Sequence, residues 1–283
     1  MRRTPPRLLT IAGSDSGGGA GIQADLKTFA AHGAYGMSAV TALTAQNTRG
    51  VRAVHAAPPE LVAAQIDAVF EDLGVDAVKI GMLADAAIVR AVAARLRAHL
   101  GPGPRPRPPV VLDPVMVAKS GDPLLADDAV AAIVEELLPL ATLVTPNLPE
   151  LERLAGRQVG EGEAERLAAA RALAAGGPAV LAKGGHVAGE EVVDLLVDGA
   201  EVHRFAHPRV ATTSDHGTGC TLSSAIAARL GAGEPLAEAV RGGIEYLQGA
   251  LAAAYPLGGG RGPVDHLWRS NVIPSFARND KGV

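Results

Sequence analysis

Short apolar runs that alternate with amphipathic segments are the feature that most constrains the fold of this 283-residue chain. Runs with the composition of buried strands occur at 8–12, 38–43, 77–80, 110–112, 143–144 and 179–182. Segments with the periodicity of a helix that has one apolar face occur near 22–30, 58–73, 85–100, 126–138, 163–175, 218–230 and 236–254. Strands that alternate with helices predict a mostly parallel sheet with helices on both faces.

Two β-rich segments in the C-terminal half depart from this alternation. Residues 192–197 and 201–205 flank Asp198-Gly199, a pair typical of a two-residue hairpin turn. The sequence therefore predicts a three-layer α/β sandwich whose sheet carries a small antiparallel hairpin at one edge. The Pro- and Gly-rich stretch 101–109 is interpreted as an exposed loop rather than an interdomain linker, because a strand resumes directly at Val110.

Composition excludes several classes of protein. With 26 Lys and Arg against 30 Asp and Glu, the formal net charge is −4, and only 3% of residues are aromatic, which argues against a nucleic-acid partner. The single cysteine, Cys220, excludes an intrachain disulfide and a zinc site built from cysteines. The chain contains no apolar run near the ~18 residues of a membrane span and no evident signal peptide. We therefore expect a cytoplasmic protein with no membrane partner.

Polar motifs follow several of the predicted strands. They are Gly13-Ser14-Asp15, Gln46-Asn47, Asp113-Pro114, residues 147–150 and residues 183–186. Ligands of open α/β sheets bind beyond the carboxyl ends of the strands. The sequence thus predicts that these motifs meet at one binding site.

The polar residues of that edge are compatible with metal and nucleotide chemistry, and also with simpler structural roles. Asn147 and Glu150 lie three residues apart at a strand-to-helix junction, where they suit either a Mg²⁺ site, directly or through water, or a helix N-cap with an acidic first turn. Lys183 suits a nucleotide phosphate or an ordinary surface position. Asp113 suits either a residue that orients metal-bound water or a loop aspartate.

The segment 216–222 marks a loop that becomes a helix. Gly217, Thr218 and Gly219 would expose backbone N–H groups at the positive end of the helix dipole, which suits a transferring phosphoryl group. Cys220 would lie in the first helical turn, a position that lowers the pKa of a thiol. The alternative is a small buried cysteine behind a flexible turn.

Several familiar motifs are absent from the sequence. The Gly-rich segment 13–21 does not fit GxGxxG, and the chain has no GxxxxGK[ST], HExxH or GxSxG pattern. These absences argue against a Rossmann dehydrogenase, a P-loop NTPase, a zinc site of the HExxH type and a hydrolase with a nucleophile elbow.

Taken together, the motifs resemble the ribokinase-like superfamily and, within it, the bacterial hydroxymethylpyrimidine/phosphomethylpyrimidine kinases. The resemblance runs from about Leu8 to His266. It is carried by residues 9–15, 18–29, 41–48, 79–83, 112–116, 119–122, 145–150, 183–186 and 216–221. One departure is Ser16-Gly17, where the family often has Pro-Ser.

The resemblance implies a ribokinase-like kinase of thiamine biosynthesis that uses ATP and Mg²⁺. It implies two successive transfers, first to the hydroxymethyl group of 4-amino-5-hydroxymethyl-2-methylpyrimidine and then to the resulting monophosphate. It further implies a homodimer and a single kinase domain over residues 1–270, followed by a tail, 271–283, of unknown role. Two alternatives remain: a pyridoxine or pyridoxal kinase of the same superfamily, and a non-catalytic sensor of the pyrimidine or a nucleotide.

The resemblance also implies a role for each matching residue. Gln46 and Asp25 would hydrogen-bond the aminopyrimidine, in a pocket lined by Gly13 and Met82. Asp113, Asn147 and Glu150 would lie around Mg²⁺ and phosphate, and Lys183 and Thr218 would contact ATP. The anion hole would be formed by Gly217, Thr218 and Gly219. Cys220 would act as the base, at a position where most of the superfamily carries Asp.

Overall fold

A computed structural model describes residues 4–101, 107–116 and 127–269, which form a nine-stranded sheet flanked by helices. The strands are β1 (Arg7–Asp15), β2 (Tyr35–Asn47), β3 (Gly50–Ala56), β4 (Ala77–Ile80), β5 (Val110–Leu112), β6 (Leu143–Val144), β7 (Ala179–Ala182), β8 (Glu191–Asp198) and β9 (Glu201–Pro208). Their spatial order is β3-β2-β1-β4-β5-β6-β7-β8-β9. The six strands β2, β1, β4, β5, β6 and β7 pair in parallel, whereas β3 at one edge and β8 and β9 at the other pair antiparallel. The predicted fold class, including the edge hairpin, is confirmed.

The helices follow the strands as the sequence predicts. They are α1 (Gly21–Ala31), α2 (Pro59–Ala68), α3 (Ala86–His99), α4 (Asp127–Ala132), α5 (Leu148–Ala155), α6 (Glu163–Ala174), α7 (Thr218–Gly231) and α8 (Leu236–Ala252). A π-helical turn, Val69–Leu73, extends α2, and a second one, Ile133–Leu137, extends α4. None of the helices in the described ranges is long and apolar enough to cross a membrane.

The two faces of the sheet are covered by different helices because successive strand residues point to opposite sides. In β1, Leu9 packs in a cluster with residues of α2, α3 and α4, whereas its neighbour Leu8 packs with Phe29 of α1 and with α7 and α8. Both leucines are fully buried. Burial on both faces explains why the central strands have continuous apolar sequences rather than alternating ones.

The structure differs from the sequence prediction at two strands. β1 continues through Gly13, Ser14 and Asp15, which the sequence assigns to a loop, with a bulge between Ala12 and Ser14. β3 was not predicted at all, because most of its side chains are exposed and no apolar alternation marks it. Residues 102–106 of the predicted loop, the 119–122 motif and the 271–283 tail lie outside the described residues.

Candidate active site

A cavity of about 840 Å³ opens at the carboxyl ends of the parallel strands. Its walls contain nearly all of the residues that the sequence assigned to a site. They are Gly13, Gln46, Met82, Asp113, Asn147, Glu150, Lys183, Gly217, Thr218, Gly219 and Cys220. The topology explains this convergence, because each parallel strand delivers its last residues to the same edge of the sheet.

Asp25 is the exception, and its predicted contact with the pyrimidine is corrected by the structure. Asp25 lies on α1 with no exposed surface and does not line the cavity. Its carboxylate accepts hydrogen bonds from Lys79 Nζ at 2.9 Å, Thr10 Oγ1 at 2.6 Å and Ser224 Oγ at 2.7 Å. A carboxylate whose acceptor sites are all used by buried donors cannot also bind a ligand in the cavity. Asp25 therefore lies beneath the cavity wall and has no contact with a ligand.

The Gly-rich loop is built around a carboxylate of the protein itself. Asp15, at the end of β1, accepts hydrogen bonds from the backbone N–H groups of Gly17, Gly19 and Ala20 at 2.8–3.0 Å. Burial alone would raise the pKa of Asp15, but these bonds and the neighbouring His216 lower that pKa overall. These three loop amides are therefore committed to the Asp15 carboxylate and are not free to bind a ligand.

The start of α7 is fixed against this loop. His216 Nε2 lies 2.8 Å from Asp15 Oδ2. Gly217, the N-cap, has a φ of 83°, in the left-handed region, and a Cβ there would overlap the carbonyl oxygen of Gly19. Only glycine fits this close approach, which aims the first N–H groups of α7 toward the cavity.

Cys220 lies in the first turn of α7, partly exposed to the cavity. Burial raises the pKa of its thiol to about 11, although Lys79 opposes that rise. Burial therefore outweighs the lowering of the thiol pKa that a helix-start position alone predicts. The helix dipole and a backbone N–H of Gly21 favour the thiolate, but desolvation of the sulfur outweighs them.

Lys183, after β7, sits between two carboxylates. Its Nζ lies 2.9 Å from Asp113 Oδ1 and 3.8 Å from Glu150 Oε2. Burial alone would lower the pKa of Lys183, but these two carboxylates raise it above the ordinary lysine value. The three side chains thus form a buried charge cluster beside the α7 N-terminus, where a Cβ on Gly219 would lie 3.2 Å from Asp113 Oδ2.

Asn147 and Glu150 form a capping box at the start of α5. The Asn147 side chain accepts from the Glu150 N–H at 3.0 Å, and the Glu150 carboxylate accepts from the Asn147 N–H at 2.8 Å. The helix-cap alternative left open by the sequence is therefore realised. It does not exclude a second role, because both residues also line the cavity.

The donor set of this cluster fits a weakly held Mg²⁺ rather than a protein-built metal cage. In the ranges that the structure describes, no group of three or more His, Cys, Asp or Glu side chains is arranged to hold a metal ion. Asp113 and Glu150 offer carboxylate oxygens, the ligand type that Mg²⁺ prefers, but Lys183 lies between them. Such a site suits an ion that arrives with the nucleotide phosphates and keeps several of its waters.

Glu150→Gln is expected to raise the Mg²⁺ concentration needed for half-maximal turnover by about fivefold. The variant loses one attraction between unlike charges, which is worth about 1 kcal/mol in water, and about 1 kcal/mol corresponds to that change in concentration. Glutamine retains an acceptor for the Asn147 N–H, so the fold should be unaffected. Burial raises the pKa of Glu150 to about 7. A carboxyl is neutral below its pKa, so the wild-type Mg²⁺ requirement should rise as pH falls through about 7, and the variant should lack this rise.

The measurement is turnover against Mg²⁺ concentration at several pH values, with Glu152→Gln as the matched control. Glu152 lies on the same helix but outside the cavity, where its carboxylate accepts from the Val159 N–H. A Mg²⁺ dependence that is unchanged in Glu150→Gln at every pH would reduce Glu150 to a helix cap.

The other side of the cavity, at the ends of β1, β2 and β4, contains Gly13, Gln46 and Met82. Gly13 donates its N–H to the Met82 carbonyl at 3.1 Å, and a Cβ on Gly13 would lie 2.8 Å from the Met82 sulfur. Gln46 receives a hydrogen bond from Thr44 Oγ1 at 3.2 Å, and its Nε2 lies 3.5 Å from His216 Nε2. An amide, a thioether and a close backbone wall suit a flat heteroaromatic ring with polar edges.

The loop that follows Lys183 is shaped from β8 and from the segment after β9. The Arg209 guanidinium donates to three backbone carbonyl groups within residues 185–189. The Asp194 carboxylate accepts from the Gly184 N–H at 2.7 Å. These bonds give Lys183 a fixed platform at the phosphate end of the cavity.

Sequence reasoning assigned no specific role to Asp15, His216 or Lys79. Asp15 organises the loop, His216 links that loop to α7, and Lys79 lies fully buried beside the cavity. A signal for Lys79 was present in the sequence, since a lysine interrupts the apolar strand between Val78 and Ile80. Arg209 and Asp194 had no comparable signal, because Arg209 bonds backbone carbonyl groups and Asp194 bonds the Gly184 N–H and the distant His207.

Comparison with known proteins agrees with this geometry. Residues 15–265 match the profile of the family described as phosphomethylpyrimidine kinase. The hydroxymethylpyrimidine/phosphomethylpyrimidine kinase of Rhizobium meliloti is 56% identical over 264 residues, which are 92% of this chain and 97% of the relative. The thiamine biosynthesis bifunctional protein ThiED of Geobacter sulfurreducens is 53% identical over 94% of this chain, which spans only 54% of that longer relative.

Solved structures place the fold in the same group of vitamin kinases. The pyridoxal kinase of Bacillus subtilis, in complex with ADP, superposes with a TM-score of 0.86 at 35% identity and covers 95% of this chain and all of its own. The phosphomethylpyrimidine kinase of Clostridium difficile superposes with a TM-score of 0.75 at 42% identity, over 86% of this chain and 98% of its own. Because its profile match and its close relatives agree, and because its cavity contains the expected residues, the chain belongs to the phosphomethylpyrimidine kinase family.

Proposed function

We propose that this protein transfers phosphate from ATP to 4-amino-5-hydroxymethyl-2-methylpyrimidine, and then to the resulting monophosphate, in thiamine biosynthesis. The observation that carries the proposal is that a single cavity contains one end suited to phosphates and another end suited to a heteroaromatic ring. One end holds the Asp113–Lys183–Glu150 charge cluster beside the α7 N-terminus, and the other holds Gln46 and Met82. A family profile that covers residues 15–265 supports the same activity.

Each part of the cavity has a role in this reaction. Lys183 neutralises the ATP phosphates, and the N–H groups of Thr218 and Gly219 at the start of α7 stabilise charge on the transferring phosphoryl group. Cys220, in the same turn, accepts the proton of the acceptor hydroxyl. Gln46 fixes the orientation of the pyrimidine edge, while Met82 and Gly13 form the wall of its pocket.

Mg²⁺ belongs to this proposal as the partner of ATP. Asp113, Asn147 and Glu150 would hold it, partly through water, and it would supply neutralisation of charge on the phosphates. The residues of this chain then position the two substrates, exclude water and receive the proton.

The reaction sequence is tested by following product formation with ³¹P NMR in a mixture of protein, ATP, Mg²⁺ and the hydroxymethylpyrimidine. A phosphomonoester signal should appear first together with the α and β signals of ADP, and a second diphosphate pair, distinct from that of ADP, should appear later. ATP hydrolysis without either product would contradict the proposal.

Gln46→Leu is expected to weaken pyrimidine binding by about 1–3 kcal/mol, because a polar edge of the ring is left unpaired in a desolvated pocket. ATP binding should be unchanged, since Gln46 lies at the end of the cavity away from Lys183. Titration calorimetry with each ligand measures both effects. The matched control is Gln158→Leu, the same change at an exposed position outside the cavity. An unchanged pyrimidine affinity in Gln46→Leu would remove this residue as the substrate anchor.

A pyridoxal kinase activity is the second candidate, favoured by the TM-score of 0.86 with the Bacillus subtilis enzyme. The higher identity to the pyrimidine kinases and the matched profile favour the pyrimidine. The two acceptors are distinguished by turnover, because their rings carry different polar substituents around the reacting hydroxymethyl group.

The same proposal includes a single kinase domain over residues 1–270, a cytoplasmic location and a homodimer. On the β2–β3 ribbon the Leu43 side chain is 58% exposed, and this open apolar side chain supports an assembly surface there. Light scattering coupled to gel filtration should give twice the 28.7 kDa mass of the chain. A monomer at micromolar concentration would contradict the homodimer.

A further inference from the structure

Ser16, in the Gly-rich loop, has no part in the roles described so far. Its hydroxyl donates a hydrogen bond to the Gln46 carbonyl oxygen at 2.8 Å and accepts one from the Gln46 N–H, also at 2.8 Å. One side chain thus bonds both backbone groups of the residue proposed to anchor the pyrimidine. The two residues are 30 positions apart in the sequence, so the contact is tertiary rather than local.

These two bonds stand in for a strand neighbour that the end of β2 lacks. The pairing of β1 with β2 ends at Asp15, opposite Thr44, whereas β2 continues to Asn47. The backbone of Gln46 therefore has no β1 residue paired with it. The Ser16 hydroxyl supplies a donor and an acceptor there, as the peptide groups of a further strand residue would.

The pairing of β2 with β3, on the other side, is irregular at the same residue. Its register shifts between Ala45 and Gln46. A bulge in a strand pair locally disrupts the ladder and can re-aim a side chain, and such bulges are frequent next to active sites. The β3 ladder alone therefore holds the backbone of Gln46 less firmly than a regular ladder would. The Ser16 bonds hold the same backbone from the side of β1.

The loop that carries Ser16 is fixed to the start of α7. Asp15, the preceding residue, accepts hydrogen bonds from three N–H groups of this loop. The same carboxylate lies 2.8 Å from Nε2 of His216, the residue before the N-cap of α7. Ser16 therefore connects Gln46 to a frame that is shared with the N–H groups proposed for phosphoryl transfer.

Stabilisation of the fold alone explains the Ser16 bonds poorly. The residue is exposed, and a hydrogen bond between exposed groups adds little stability because water offers the same partners. Such a bond can still select one conformation of a binding residue before the ligand arrives. Ser16 also lies where the chain departs from the Pro-Ser that the family often has, and a proline has no hydroxyl to form either bond.

We propose that Ser16 is a positioning residue that preorganises Gln46 to receive the pyrimidine. The role of Gln46 as the anchor belongs to the proposed function, so the binding part of this inference rests on it. Without the Ser16 hydroxyl, the ligand itself must order Gln46, and that cost lowers the affinity for the pyrimidine. Neither Ser16 bond reaches the groups proposed for phosphoryl transfer, so the loss should appear in KM rather than in kcat.

The first test compares Ser16→Ala with Ser16→Thr, which keeps the hydroxyl. At saturating ATP, kcat/KM for the hydroxymethylpyrimidine should fall about fivefold in Ser16→Ala, while kcat and the KM for ATP stay within about twofold of wild type. Ser16→Thr should restore the wild-type value. The midpoint of thermal unfolding should be unchanged in both variants. An unchanged kcat/KM in Ser16→Ala, or an equal loss in Ser16→Thr, would overturn the inference.

A double-mutant cycle shows whether Ser16 acts through Gln46. In the Gln46→Leu background, Ser16→Ala should cause no further loss of kcat/KM, because the side-chain amide that Ser16 positions is already gone. This ratio is measurable at pyrimidine concentrations below KM, so weak binding does not prevent the comparison. A loss as large as that in the wild-type background would mean that Ser16 acts on another group, and would overturn the inference.

Hydrogen exchange followed by NMR tests the contact without any substrate. The Gln46 amide should exchange at least about tenfold faster in Ser16→Ala, because its acceptor is lost. The matched control is the Val78 amide, which donates to the Pro109 carbonyl at 2.9 Å and should not change. Unchanged exchange at Gln46 would overturn the inference whatever the kinetics show. A wild-type protein that shows the expected exchange but phosphorylates no pyrimidine contradicts the proposed function instead.

Discussion

Replacing Cys220 with alanine is expected to lower the turnover of hydroxyl phosphorylation by roughly 10²–10⁴-fold, the contribution of a positioned general base. The lower end is favoured, because phosphoryl transfer depends mainly on positioning and electrostatics. The second transfer starts from a monophosphate that is already ionised, so it should lose less activity than the first. Burial holds the pKa of the thiol near 11. Wild-type turnover of the hydroxyl should therefore rise with pH through the neutral range, and the alanine variant should not follow that rise.

The measurement is the rate of each half-reaction for wild type and Cys220→Ala across pH 7–9. This range lies below the thiol pKa of about 11. Circular dichroism checks that the variant is folded. Alkylation of the thiol should also inactivate the wild-type enzyme, and bound pyrimidine should protect it. If both rates in Cys220→Ala remain within about threefold of wild type, far below the effect of a general base, Cys220 is a packing residue and the α7 N-terminus carries the catalysis.

Gly217→Ala is expected to reduce turnover of both transfers by at least about 10²-fold, the usual cost of disturbing a preorganised anion-binding site. The residue has a φ of 83°, and a Cβ would overlap the Gly19 carbonyl oxygen. The start of α7 must therefore move away from the Gly-rich loop. The N–H groups of Thr218 and Gly219 move with it, so the loss should appear in kcat more than in the affinity for the pyrimidine.

Gly33→Ala is the matched control for this effect. Gly33 has a similar φ of 70°, but nothing lies within 4 Å of the Cβ it would gain. It should lose a little stability from backbone strain, about 1 kcal/mol, and keep its turnover. Kinetics and thermal unfolding of both variants separate strain from misplacement. Turnover in Gly217→Ala close to that of the control would contradict the role of the α7 start.

The fold could be predicted from the sequence where burial leaves a pattern. The central strands are apolar on both faces, and the hairpin at Asp198-Gly199 carries a recognisable turn, so these elements were confirmed. β3 has mostly exposed side chains and therefore no pattern. The strand character of Gly13, Ser14 and Asp15 was hidden because glycine and polar residues are typical of loops.

The site could be predicted as a set of residues but not as a set of roles. The carboxyl ends of parallel strands meet, so the motifs that follow those strands had to converge. Which direction Asp25 faces on α1 depends on Lys79, Thr10 and Ser224, which are distant in sequence. The thiol pKa depends on how far the sulfur of Cys220 is desolvated, and a helix-start position alone does not reveal that.

We propose that the hydroxymethylpyrimidine and its monophosphate are the acceptors of this kinase. The deciding measurement is kcat/KM for ATP-dependent phosphorylation of the hydroxymethylpyrimidine, its monophosphate and pyridoxal, side by side with one preparation of the full chain. We expect both pyrimidines to be phosphorylated, with a kcat/KM for the hydroxymethylpyrimidine that exceeds that for pyridoxal. Turnover of pyridoxal without turnover of either pyrimidine, or binding of the pyrimidine with no phosphorylation, would contradict it.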